Sequence, residues 1–221
     1  MDSKIFEILQ FNKCWKYFKY ILEHKKNVAI ECWKEKLYIH AFTHDLSKFL
    51  FCEFIPYAKY DFQNLNNNTN KIKDDFNRAW QHHKDNNKHH WDYWHERNLS
   101  MPLKYKIQMI CDWKAMGRKF GNTAQEFYLR NFDKIKLQQE DRLIIERLLD
   151  LDFKHCCECD LVHWQNIKEI IESDIDYKKK YPNNYCDKLT KEWIEDINKK
   201  YNLDVLKILN YKEEDIYNKI R

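Results

Sequence analysis

At 221 residues with 2 glycines and 3 prolines, the chain has too few turn-formers for a sandwich or barrel of short strands. Its 39 Lys and Arg stand against 35 Asp and Glu, interspersed, for a net charge of +4, which is not the one-signed footprint of a nucleic-acid binder. The 8 cysteines follow no signal peptide, and no apolar run of about eighteen residues occurs. The expectation is a cytoplasmic all-α protein with reduced thiols, no membrane span and no nucleic-acid partner.

In chain order, Ile5, Ile8, Leu9, Cys14, Trp15, Phe18 and Leu22 recur at helical spacing over residues 4–24, and His24 closes that stripe. Residues 28–39 read as a second helix through Val28, Ile30, Trp33 and Leu37. His40-Ala-Phe-Thr-His44-Asp45-Leu46-Ser47-Lys48-Phe49 follows. If helical, it puts His40 and His44 on one face and turns Asp45 by about 100°. An adjacent His and Asp offer one metal a neutral nitrogen and an anionic oxygen, a set suited to zinc, iron or manganese rather than calcium. His40 reads first as a packed histidine, and otherwise as a ligand or as a group behind the ligands.

A short helix from Glu53 to Phe62 begins or breaks near Pro56, and the Asn-rich residues 64–70 read as a surface loop. The stretch AWQHHKDNNKHHWDYWH (79–95) holds five histidines in fourteen residues, which points to metal binding over a polar surface turn. On a continuous helix His83 and His90 would be about 10 Å apart along the axis, too far for one ion. Either two ions are held or the poor helix formers Asp85-Asn86-Asn87 break the helix. The helix Leu103–Lys119 follows Met101-Pro102, buries Asp112 among apolar neighbours and stops at Gly121. Arg118 and Lys119 read as a solvated face. Thr123-Ala-Gln-Glu126 is a capping box, and residues 138–151 form another core helix.

HDLSKF (44–49), Glu53-Phe54 with Tyr57, AWQHHKDNNKHHWDYW (79–94), Met101-Pro102 and MICDWKAMGRKFG (109–121) resemble a family of bacterial and phage proteins of unknown function over residues 20–150. The order His24, His44-Asp45, Lys48, His83, His89-His90, Asp112 also resembles the HD superfamily of metal-dependent phosphohydrolases and the diiron oxygenases on the same fold. That resemblance implies an HD-like helical bundle over residues 1–151, with a C-terminal helical extension over 152–221. It implies the metal ligands His24, His44, Asp45, His83, His90 and Asp112, holding one or two divalent transition ions (Mn, Fe, Zn, Ni or Co). Asp45 and Lys48 would be catalytic. Lys48, Asn87 and His89 would face a small phosphoester or nucleotide substrate. The spacing from His83 to His89-His90 is shorter than in HD phosphodiesterases with paired histidines.

A hydrolase using metal-activated water is the first reading. A diiron oxygenase and a metal-stabilised helical interaction module are the alternatives. In the extension, His155, Cys156, Cys157, Cys159 and His163 have partial zinc-ligand spacing but read as incidental thiols. Helices are expected at 161–174, 188–200 and 203–219, with a linker at Tyr181-Pro182-Asn183-Asn184.

Overall fold

The structure is a computed structural model that describes residues 3–62, 70–151, 153–154, 161–162, 194–199 and 204–208. It is an all-α fold. Its chain contacts gather into two compact units, Met1–Asn122 and Thr123–Arg221, dividing earlier than the 151/152 boundary read from sequence. No helix among the described residues is long and apolar enough to cross a membrane.

The first unit is built on α1, Ser3–Lys34. The sequence reading splits this segment in two. No Gly or Pro interrupts it, and α1 runs through as one helix. After it come α2 (Tyr38–Thr43), a 3₁₀ turn (Leu46–Phe49) and α3 (Phe51–Asp61). Then follow α4 (Asn70–Asn86), α5 (Trp91–His95) and α6 (Leu103–Phe120). Pro56 lies inside α3 rather than ending it. Pro102 caps α6 from outside, and α6 ends at Gly121 with φ 72°, the left-handed conformation glycine adopts at low cost.

One stripe of α1 organises this unit. Tyr17, Ile21, His24, Val28 and Cys32 fall at steps of three and four, so they share a face. All five are buried. Tyr17 and Ile21 join Tyr57, Ala58 and Ala79 in one apolar cluster, edged by Phe54, Phe76 and Trp80. Val28 and Cys32 join Ala41, Cys111 and Ala115 in another. The upper part of α1 therefore meets α3 and α4, and its lower part meets α2 and α6. His24 is the polar residue of the stripe, at the seam between the two clusters.

The second unit opens with α7 (Ala124–Arg130), whose capping box is formed in both directions: Glu126 N donates to Thr123 Oγ1 at 3.1 Å, and Thr123 N to Glu126 Oε2 at 2.9 Å. In α8 (Gln139–Leu148), buried Glu146 accepts a hydrogen bond from Tyr128 Oη at 2.7 Å. Two-residue strands Phe153–Lys154 and Leu161–Val162 pair antiparallel, so the helix expected from residue 161 does not begin there. Residues 194–199 and Val205–Ile208 are helical. The Asn-rich loop (apart from Asn70), the His155–His163 cluster (apart from Leu161–Val162) and the expected linker lie outside the described residues.

Candidate metal centre

The six residues expected as ligands meet in the first unit, brought there by five separate segments. His24 comes from α1, His44 and Asp45 from the break after α2, and His83 from the last turn of α4. His90 precedes α5, and Asp112 lies in α6. His44-Asp45 is not helical, contrary to the reading that turned Asp45 by one helical step. Helix α2 ends at Thr43, His44 is extended (ψ 126°) and Asp45 is left-handed (φ 54°). Asp tolerates that conformation better than most residues, and the reversal turns two successive side chains inward. Between His83 and His90 the helix does break: α4 stops at Asn86, and Asn87 Nδ2 donates to the His83 carbonyl at 2.8 Å.

The donor atoms form two lobes joined by one carboxylate. In the first, His24 Nε2 lies 3.1 Å from His44 Nε2 and 3.1 Å from Asp112 Oδ1. In the second, His83 Nε2 lies 2.9 Å from His90 Nε2. Asp45 faces both. Its Oδ2 is 3.3 Å from His44 Nε2 and 3.7 Å from His24 Nε2, while its Oδ1 is 3.4 Å from His83 Nε2 and 3.5 Å from His89 Nε2. His24, His44 and Asp112 form one group with metal-holding geometry; Asp45, His83, His89 and His90 form another. Ligands about 2.1 Å from a common ion stand roughly 3.0–3.4 Å apart. These pairs lie in or near that range, from 2.9 to 3.7 Å.

His89, read from sequence as facing substrate, thus falls among the donors. Asp45 Oδ1, His89 Nε2 and Asp112 Oδ1 are buried without a well-formed hydrogen bond, although His24 Nε2 lies 3.1 Å from Asp112 Oδ1. Such poorly paired polar atoms in one place are costly in a core that keeps nothing there, and a cation satisfies carboxylate oxygens and an unprotonated imidazole nitrogen alike.

Behind the donors stand groups that orient them. Glu53 Oε2 accepts from His83 Nδ1 at 2.9 Å and from Ser47 Oγ at 3.0 Å, and Glu53 is fully buried. With its Nδ1 proton on Glu53, His83 presents the bare Nε2 to the cluster. His44 Nδ1 is likewise 3.2 Å from His40 Nε2. Sequence reasoning gave no role to Glu53, although it stands in one of the quoted motifs; its eight-residue distance from Asp45 and the neighbouring Pro56 hid it.

Burial pushes the imidazoles of His40 and His44 down to about 4 and that of His90 to about 3, and it drives His89 well below its ordinary value. They are neutral at pH 7, the state a metal requires. Burial would raise the Asp45 carboxyl, but His44, Lys48, His83 and His89 outweigh it and hold it well below the carboxylate range. Burial is likewise outweighed at Asp112, chiefly by His24, and at Lys48 by Asp45, so Asp112 is ionised and Lys48 protonated. Lys48 Nζ bonds Asp45 Oδ2 at 2.6 Å.

The cluster adjoins a pocket of about 600 Å³ whose lining includes His40, Asn87 and His89, together with Lys36, Lys88, Lys104 and Tyr105. Asn87 and His89 thus line this pocket. Lys48 is committed to Asp45 and is not among its lining residues. Arg118 and Lys119 pair with Glu31 and Glu23.

Fold and site define an all-α protein with a buried histidine–aspartate centre open to a polar pocket. Residues 13–151 match a family described as "Family of unknown function (DUF5662)", and the chain belongs to that family. No curated protein and no solved structure matches the chain.

Proposed function

We propose that this chain is an HD-type, metal-dependent phosphohydrolase. The observation that carries the proposal is the bridging position of Asp45, with one oxygen toward each lobe of a His- and Asp-lined cluster. His24, His44, Asp45 and Asp112 would hold one divalent transition ion. Asp45, His83, His90 and His89 would hold a second. When bound, such ions polarise a phosphoryl oxygen and lower the pKa of water toward about 7. The chemistry adds water across a P–O bond and releases an alcohol and phosphate.

The chain's own residues prepare that step. Glu53 and His40 fix the rings of His83 and His44. Lys48 fixes Asp45 and offsets part of the charge of Asp45, Asp112 and Glu53, leaving the cluster an excess of negative charge that suits a cation. Asn87 and His89 stand where the cluster meets the pocket and would contact the substrate there.

The test is elemental analysis of protein purified without added metal, with His44→Ala and Asp112→Ala alongside, followed by a phosphoester screen. Manganese, zinc, nickel or cobalt, lost in both variants, with phosphate released by wild type, is the expected result. Two equivalents of iron with oxygen consumption and no phosphate release would replace the hydrolase by an oxygenase. No metal after reconstitution would overturn both.

A further inference from the structure

We infer that the pocket beside the cluster is a subsite for a second phosphate, so that the substrate is a small molecule with at least two phosphate groups. This rests on the phosphohydrolase reading for the reacting phosphate, but the subsite has its own support. Lys36, Lys88 and Lys104 line the pocket from three separate segments: beyond α1, beyond α4 and in the first turn of α6. No Asp or Glu is among the lining residues. In a chain with 39 basic and 35 acidic residues, an acid-free pocket with three lysines is a departure from the surrounding pattern.

Five other lysines of this unit are held in ion pairs, while Lys13, Lys16, Lys26 and Lys59 have none among the described residues, so what marks the pocket is three lysines gathered in one place without an acid. Lys34 pairs with Glu31, Lys48 with Asp45, Lys84 with Glu96, Lys114 with Glu35 and Lys119 with Glu23. Lys36, Lys88 and Lys104 have no carboxylate within ion-pair distance among the described residues. Lys88 lies 5.4 Å from the centre of the Tyr93 ring and Lys104 4.7 Å from that of Tyr105. Such contacts steady a side chain without neutralising it. Lys36 has φ 59° because it is the left-handed residue that ends α1, where Leu37 N donates to the Cys32 carbonyl at 2.8 Å, and it lines the pocket from there. On the inner side the lining includes His89, which is 2% exposed and whose Nε2 has no partner. A ligand can therefore touch the cluster at one end and three free ammonium groups at the other. Lysine binds phosphate as a point charge, and several ammonium groups favour a polyanion over a single charge.

The experiment is calorimetric binding of inorganic tripolyphosphate and of orthophosphate to the full-length protein, as purified and after chelation. The comparison is with a Lys36→Gln/Lys88→Gln/Lys104→Gln variant and a triple Lys→Arg variant. Wild type is expected to bind tripolyphosphate roughly tenfold or more tightly than orthophosphate, with affinity falling as salt rises. The Gln variant should lose that preference while keeping its metal content and helical circular dichroism, and the Arg variant should keep it. Equal tripolyphosphate affinity in wild type and the Gln variant would overturn the subsite. So would tighter binding of a short single-stranded oligonucleotide than of tripolyphosphate, since an extended polymer would then be the ligand. Absence of metal from wild type would defeat the phosphohydrolase reading alone, because the chelated protein still decides the subsite.

Discussion

Glu53 Oε2 stands 2.9 Å from His83 Nδ1, and both side chains are wholly buried. The same carboxylate holds His82 Nδ1 at 2.6 Å through its other oxygen. A buried carboxylate behind a ligating histidine fixes the tautomer and strengthens the ligand, and loss of such a partner typically costs 10–100-fold in metal affinity. Glu53→Gln is nearly isosteric but removes the charge. It should retain the fold and lose about one to two orders of magnitude in affinity for the ion of the His83 lobe, read by competition with a chromogenic chelator. Unchanged affinity would count against the role given to Glu53.

Metal removal should be visible as stability. A ligand that binds only the folded chain stabilises it by about 2.7 kcal/mol when present at 100 times its Kd. Here buried, poorly paired atoms of Asp45, His89 and Asp112 would also lose the cation that satisfies them. Chelated wild type should unfold several degrees below the metal-loaded form in a thermal melt, and His24→Ala should abolish most of that difference. Coincident melts with and without chelator would argue that the cluster is structural without a cation.

The chelated protein should also be acid-sensitive. His40 and His44 titrate at about 4 and His90 at about 3 when folded, because burial opposes their charging, against about 6.5 in an unfolded chain. Between roughly pH 6.5 and 4 the unfolded chain binds protons that the folded chain refuses, so stability falls as pH falls through that window. Each fully uncompensated proton contributes about 1.4 kcal/mol per pH unit. Urea denaturation of chelated protein at pH 7.5, 6.0 and 5.0 should give steadily lower midpoints, and a flat series would contradict the neutral, buried state of these rings.

The two glycines separate a steric requirement from a conformational one. A methyl group on Gly117 would collide with the Asn122 carbonyl oxygen, whereas one on Gly121 meets nothing but inherits φ 72°. Gly121→Ala should cost about 1 kcal/mol, and Gly117→Ala about 1–3 kcal/mol because backbone must move. Denaturation midpoints in the reverse order would show that the chain between them relaxes easily.

The chemistry-bearing residues were legible because their types are rarely grouped without cause. Histidines next to aspartate or to each other, and Asp112 in an apolar stripe, mark the cluster before any folding is known. What escaped the sequence was the backbone between them. Residues 25–36 carry polar residues that blur the apolar period, so α1 reads as two helices. The left-handed turn at Asp45 is a tertiary choice that no propensity dictates, since the adjacent side chains of His44 and Asp45 must both face the cluster. The pocket lysines looked like any solvated lysine, because their distinction is that three of them gather around one pocket with no carboxylate in its lining, which only three-dimensional proximity reveals.

The shared stripe on α1 also fixes a length. Tyr17 and Ile21 are seated against one cluster and Val28 and Cys32 against the other, with His24 between them. Deleting or inserting a single residue between Ile21 and Val28 would swing one half of the helix by about 100° relative to the other. Either an apolar cluster or the histidine would then point into water, whatever residue was added. Relatives of this chain that keep the centre should therefore align through this part of α1 without gaps, and their length differences should fall elsewhere.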